Sequence, residues 1–298
     1  MTSPFIAKTI VVTGPTSGIG LATAEEFIRQ GADVICVGRS AQRCRGAEQR
    51  LRSLNPAADV TYCTADLTLQ TEVHRLAETI RHITAGRGRA AVYGLVNNAG
   101  AFTYWLTLTA EGFETQWALH HLAPFLLTRE LLPLLQAAPA GRIVTVSSGS
   151  HYHTDLNWSD IQLRRRYNGL QAYKQTKLAN VLFTAELNRR LGAQSGVRAF
   201  AADPGLVNTE IGLKGTPELV QWVWERRRAA GIPAAEAARG IIFLLGEAAL
   251  QDAREVYWKH GKPQSPSRQA LDRVAAERLW ALSERMCGTA GSLPCKIT

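Results

Sequence analysis

The chain has 298 residues, 46% of them hydrophobic, so it can bury a large core, and none of its apolar runs nears the roughly 20 residues of a membrane span. Its formal charge is +9, but the arginines are scattered along helices and no helix-turn-helix, RNA-binding or zinc-finger pattern occurs, which argues against a nucleic-acid partner. Five cysteines without metal-ligand spacing, and an N-terminus without a signal-peptide pattern, lead us to expect a soluble cytoplasmic protein with reduced thiols and no metal.

Residues 8–13 are β-branched and nearly all apolar, the pattern of a buried parallel strand. Gly14-Pro15-Thr16-Ser17-Gly18-Ile19-Gly20 follows, and a helical pattern then runs over 19–30 and stops at Gly31. Strand, glycine loop and helix in that order let backbone N–H groups approach a pyrophosphate at the helix N-terminus. A tight turn that needs glycine for sterics is the plainer alternative. Residues 33–37 form a second strand ending in Gly38-Arg39-Ser40. An acidic residue there would bond a ribose 2′-OH, whereas Arg39, with Arg43 one turn later, suits a 2′-phosphate. The cofactor is therefore read as NADP(H) over NAD.

A helix over 41–54 precedes a strand over 60–64 that leads to Asp66-Leu67. A polar helix over 68–84 and a glycine-arginine loop lead to a fourth strand over 91–96, ending in Asn97-Asn98-Ala99-Gly100. Residues 110–137 read as one long helix bent at Pro124, and 142–146 as a fifth strand ending in Ser147-Ser148. An irregular stretch carries His151, Tyr152, His153 and Trp158. After a further helix, residues 197–202 form a sixth strand that runs into Asp203-Pro204-Gly205-Leu206-Val207-Asn208-Thr209. A helix over 233–250, a strand near 255–258, a linker-like stretch over 261–267 and a polar helix over 267–286 finish the chain. Such alternation predicts an α/β doubly wound Rossmann fold: one domain, with a central parallel sheet of about seven strands and helices on both faces.

Within the helix after residue 169, Tyr173 and Lys177 are one turn apart on the same face. A free phenol has a pKa of about 10, and a neighbouring ammonium lowers it. A tyrosine so placed can exchange a proton with a substrate oxygen.

From Lys8 to Trp258 the chain resembles the short-chain dehydrogenase/reductases. The resemblance rests on Thr13-Gly14-x-x-x-Gly18-Ile19-Gly20, Asp66-Leu67, Asn97-Asn98-Ala99-Gly100, Ser148, Tyr173-x-x-x-Lys177 and Pro204-Gly205 with Thr209. The runs from His121 to Thr128, from Arg142 to Ser148 and from Lys177 to Phe183 look most like the retinol dehydrogenase-like branch. The resemblance implies hydride transfer between NADP(H) and a carbonyl or alcohol. Tyr173 would exchange the proton, and Lys177 would lower its pKa and hold the nicotinamide ribose. Ser148 would bond the carbonyl oxygen, with Ser147 the competing assignment. The cofactor would lie along Gly14, Thr16, Ser17, Gly18, Ile19 and Gly20, with Arg39 at the 2′-phosphate and Asp66 and Leu67 at the adenine. Asn98, Ala99 and Gly100 would wall it, and Pro204, Gly205, Val207 and Thr209 would close over it.

The family usually has Asn-x-x-Gly where this chain has His120-His121-Leu122-Ala123. That asparagine holds a relay water; His120 either takes over the relay in altered form or merely packs on the helix and bonds a backbone carbonyl. Residues 206–232 fall where the family has a variable substrate lid, and 261–298 form a C-terminal extension. In the lid, Trp222 and Trp224 run into Arg226-Arg227-Arg228. This suits a lipophilic substrate or a peripheral membrane contact, or else an ordinary amphipathic helix. A homo-oligomer is a further expectation from the family. The alternative to an enzyme is a non-catalytic NADP-binding protein of the same fold, which rests on His120 alone.

Overall fold

The computed structural model describes residues 3–209 and 216–289. Among the described residues there are eight strands: β1 (Thr9–Thr13), β2 (Asp33–Gly38), β3 (Val60–Thr64), β4 (Gly94–Asn97), β5 (Arg142–Val146), β6 (Arg198–Asp203), β7 (Tyr257–Lys259) and β8 (Lys262–Pro263). They form one sheet in the order β3-β2-β1-β4-β5-β6-β7-β8, parallel except for the β7–β8 pair. Alternate residues along each strand enter opposite cores: Val11, Ile35 and Leu95 face one, and Ile10, Val34 and Val96 the other. Both faces are covered, which is why the strands read as unbroken apolar runs. The chain order reverses between β1 and β4, which opens a crevice at the carboxyl ends of these strands.

Helices α1 (Gly18–Arg29), α2 (Ala41–Leu54) and α3 (Gln70–Gly86) make the first crossovers. The predicted helix over 110–137 is divided in the structure. It starts at α4 (Thr115–Trp117), where the Glu114 side chain caps the N–H groups of Gln116 and Trp117 at 3.0 and 2.6 Å. A π-helical turn over Ala118–Leu122 precedes α5 (Ala123–Gln136). Pro124 has no N–H to give the carbonyl of His120, and its ring crowds that carbonyl. The ladder therefore slips to an i→i+5 bond from the Ala123 N–H to the Ala118 carbonyl.

After α6 (Gly169–Leu191) and β6 come α7 (Glu218–Ala229), α8 (Ala234–Gly246) and α9 (Arg273–Met286). The linker-like reading of 261–267 is corrected: Lys262 and Pro263 add an eighth, antiparallel strand at the sheet edge. The C-terminal extension beyond it is held to the body of the protein as far as residue 286. Trp280 stacks on Phe183 with centroids 6.0 Å apart, Arg129 pairs with Glu284 at 2.5 Å, and His121 Nε2 meets Ser283 Oγ at 2.8 Å. Helix α9 thus packs on α5 and α6 as part of the core. Among the described residues no helix is long and apolar enough to cross a membrane.

Candidate active site

The glycine loop joins β1 to α1 and is shaped by what lies beneath it. Gly14 has φ of 73°, and a Cβ there would stand 2.9 Å from the Ala99 backbone. A Cβ on Gly20 would fall 2.4 Å from Asn98 Nδ2. Asn98 Nδ2 in turn donates to the Thr13 carbonyl at 2.9 Å, and the Asn98 and Ala99 amides donate to Thr13 Oγ1. Sequence reasoning missed Tyr62, whose hydroxyl donates to the Pro15 carbonyl at 2.7 Å and pins the loop from β3. The first turn of α1 has no side-chain cap and no acidic residue. Its uncapped N–H groups and positive dipole end therefore suit an anion.

Arg39 lies exposed just past β2. Arg50 and Arg52 pair with Glu25 and Glu48, whereas Arg39 and Arg43 form no ion pair among the described residues. Asp66, past β3, accepts from the Thr68 amide and hydroxyl through Oδ1. Leu67 beside it is buried. Beyond β6, Pro204 and Gly205 turn the chain, and Val207 bridges to Ile232. Thr209 then reaches α1, its Cγ2 3.2 Å from where a Gly18 Cβ would stand. All the predicted loop residues thus gather along the carboxyl ends of β1, β2, β3, β4 and β6.

The chemical residues meet at the end of β5. Ser147 is buried: its Oγ donates to the Lys177 carbonyl at 2.8 Å, tying α6 to the sheet. Ser148 lies by Tyr173, where it favours the charged phenol, and it receives the Ser150 N–H at 3.2 Å. Strand alternation thus separates the two serines and leaves Ser148 with Tyr173. Lys177 Nζ donates to the Val146 carbonyl at 3.0 Å and lies 5.3 Å from the centre of the Tyr173 ring.

Two expectations need correction here. Lys177 does not hold the phenol low in the protein alone. Burial pushes the Tyr173 pKa up to about 12, eased by Ser148 and reinforced by the Asp203 carboxylate. The same burial lowers Lys177 to about 8, against the pull of Asp203. Desolvation is the largest cause of the shift in each group.

His120 is also not free to hold a relay water. It is 1% exposed, its Nε2 accepts the Ala101 N–H at 3.0 Å, and Nδ1 meets Thr176 Oγ1 at 3.1 Å. Since Thr176 gives its own proton to the Tyr173 carbonyl, Nδ1–H must be the donor in that contact. Both ring nitrogens are used, and the ring braces the Gly100–Ala101 turn against α6. Its pKa is held well below 6.5, by burial first and by Lys177 second, so it is neutral as expected.

The lid separates its tryptophans. Trp224 packs on Phe102, with centroids 6.0 Å apart, and Phe102 packs on Tyr173 at 6.3 Å. Trp222 is 51% exposed beneath the Arg226 guanidinium. Residues 210–215 of the lid lie outside the described residues. Phe102 was missed because an isolated aromatic in a loop carries no periodic signal. Asp203 was missed too, although an acid directly after a strand and before Pro-Gly marks the ligand-binding edge.

Residues 8–218 match the family model described as short chain dehydrogenase. The chain is 33% identical over 290 residues to Homo sapiens retinol dehydrogenase 13, covering 94% of this chain and 85% of that protein. It is 32% identical over 299 residues to Homo sapiens retinol dehydrogenase 14, covering 94% and 86%. A crystal structure of a protein from Mycobacterium paratuberculosis matches with a TM-score of 0.71 at 33% identity, over 97% of this chain and 96% of that one.

Proposed function

Because the chain belongs to the short-chain dehydrogenase family, we propose that this oxidoreductase uses NADP(H) to interconvert a lipophilic aldehyde or ketone and its alcohol. The observation that carries this reading is the meeting of Ser148, Tyr173 and Lys177 at the carboxyl end of β5. The cofactor, when bound, supplies or accepts the hydride. Its fit is supported by the uncapped α1 N-terminus, the glycine cradle that any Cβ would fill, and unpaired Arg39. Arg39 would hold the 2′-phosphate, Asp66 the adenine, and Thr209 the pyrophosphate side.

The protein performs the proton chemistry. Tyr173 is protonated at neutral pH, and this is the proton that reduction consumes. Ser148 steadies the substrate oxygen and the phenol together, and Lys177 opposes the negative charge that develops on Tyr173. Phe102 and Trp224 form an apolar wall beside Tyr173. That wall, together with relatives named retinol dehydrogenases, favours a lipophilic substrate. The non-catalytic alternative rested on His120, and the Ser148–Tyr173–Lys177 set is complete without it.

The test is NADPH oxidation with aldehydes and ketones of increasing chain length. Turnover that rises with chain length supports the proposal. Tight NADPH binding with no turnover on any carbonyl or alcohol would favour the silent binder.

A further inference from the structure

Asp203 ends β6 and is 4% exposed. Its Oδ1 accepts the Gly205 N–H at 2.8 Å, and its Oδ2 accepts the Tyr257 hydroxyl at 2.7 Å. Asp33 and Asp59 pair with Arg89 and Arg87, whereas Asp203 forms no ion pair among the described residues. A buried carboxylate without a cation is costly, so a countercharge is expected nearby.

Strand β7 gives Tyr257, which is neutral, and Lys259, which is paired in register but exposed. His260, exposed past β7, lies over Gly205. The turn over Gly149–His153 brings Gly149, where a Cβ would stand 3.3 Å from Asp203 Oδ2. It also brings His151, Tyr152 and the exposed His153. His151 is buried and neutral: Nδ1 meets the Ser148 carbonyl at 2.8 Å, and Nε2 accepts the Ser267 N–H at 3.1 Å. The Tyr152 hydroxyl donates to the Ser265 carbonyl at 2.6 Å. Helix α6 gives Tyr173 and Lys177, and the π turn gives neutral His120 behind them. Lys177 is the buried cation of this set. Its Nζ is anchored on Val146, whose register partner Ala202 directly precedes Asp203.

We propose that Asp203, clamped by Tyr257 and the Gly205 amide, is a positioning residue: the fixed countercharge to the buried Lys177 ammonium. This rests on the catalytic reading above and deepens it. Burial draws Lys177 towards neutrality, and Asp203 acts against that loss. Without the carboxylate, Lys177 would lose a large part of its charge at working pH and would favour the phenolate less. Asp203 also raises the Tyr173 pKa, so the proton is kept until the substrate oxygen takes it.

The test reads Lys177 directly. The full chain has seven lysines, so their ε-13C signals can be titrated, with Lys177 assigned by its loss in Lys177→Met. Wild type should titrate Lys177 at about pH 8. Asp203→Asn, which keeps shape and the acceptor for Gly205, should lower that midpoint by about one pH unit or more. An unchanged midpoint in folded Asp203→Asn overturns the proposal. If that variant does not fold, Asp203→Ser and Asp203→Glu decide on the same Lys177 signal: a midpoint lowered in the first and restored by the carboxylate of the second supports the proposal, and equal midpoints overturn it. If wild type turns over, the alkaline limb of its kcat/KM profile should move to lower pH in Asp203→Asn by the same shift. A wild type without turnover whose Lys177 still responds to Asp203 would sink the function reading and leave the charge pair standing.

Discussion

Replacing His120 by alanine separates a brace from a proton relay. The ring is 1% exposed and makes two hydrogen bonds, from the Ala101 N–H and to Thr176 Oγ1. Truncation removes both and leaves the part-buried Ala101 amide without its acceptor. A neutral hydrogen bond contributes about 0.5–1.5 kcal/mol and an orphaned buried donor costs about 1–3 kcal/mol, so the loss should be about 3 kcal/mol before any cavity term. At roughly 2–4 °C per kcal/mol for a large domain, Tm should fall by roughly 6–12 °C. His120→Asn keeps a donor and an acceptor on a shorter arm and should lose about half as much. The pH dependence has a defined sign. The folded protein holds His120 neutral well below 6.5, so the unfolded chain binds a proton that the folded one refuses. This stability is complete above about pH 6.5 and falls below it, by up to about 1.4 kcal/mol per pH unit. The Tm gap between wild type and His120→Ala should therefore narrow between about pH 8 and pH 5. Scanning fluorimetry over that range, with kcat measured well below Tm, is the assay. A His120→Ala protein that melts within about 2 °C of wild type yet loses turnover about 10²-fold would refute the brace and restore the relay.

Tyr173→Phe removes only the hydroxyl beside Ser148, so kcat should drop at least about 10²-fold while the Kd for NADPH holds; near-normal turnover would remove Tyr173 from the mechanism. Arg39→Asp should erode the preference for NADPH over NADH by roughly tenfold to 150-fold, from about 1.5–3 kcal/mol of charge-assisted contact, and equal use of both cofactors by wild type would contradict the assignment. Because Trp224 reaches Phe102 and Trp222 faces outward, Trp224→Ser should raise KM for long-chain aldehydes more than for short ones, while Trp222→Ser should leave both unchanged. The opposite pattern would show that Trp222 is the substrate contact.

Local pattern alone determined the alternation of strands and helices, the glycine loop and the Tyr173–Lys177 turn. Each of these is set by residues close together in the chain: β-branched runs, glycine where a Cβ has no room, and side chains four apart on one helix face. The end of the long helix was also legible, but its interior was not. Pro124 announced a distortion, and the structure moved it upstream into a π turn that includes His120. The eighth strand escaped notice because two exposed residues, one of them proline, carry no strand signal before β7 is there to pair with them.

What only the tertiary structure decided was the chemical state of the site. Spacing put an ammonium near a phenol and so implied a lowered pKa, but spacing cannot report desolvation. Burial dominates both groups and drives Tyr173 up to about 12 and Lys177 down to about 8. The choice between Ser147 and Ser148 needed the sheet, since neighbouring residues differ only in which face they meet. The tautomer of His120 needed its partners, Ala101 and Thr176, 19 and 56 residues away. Asp203 needed Tyr257, 54 residues on, to show that its carboxylate is buried and held. A charge acts on its surroundings through distance and dielectric, and both come into being only when the chain folds.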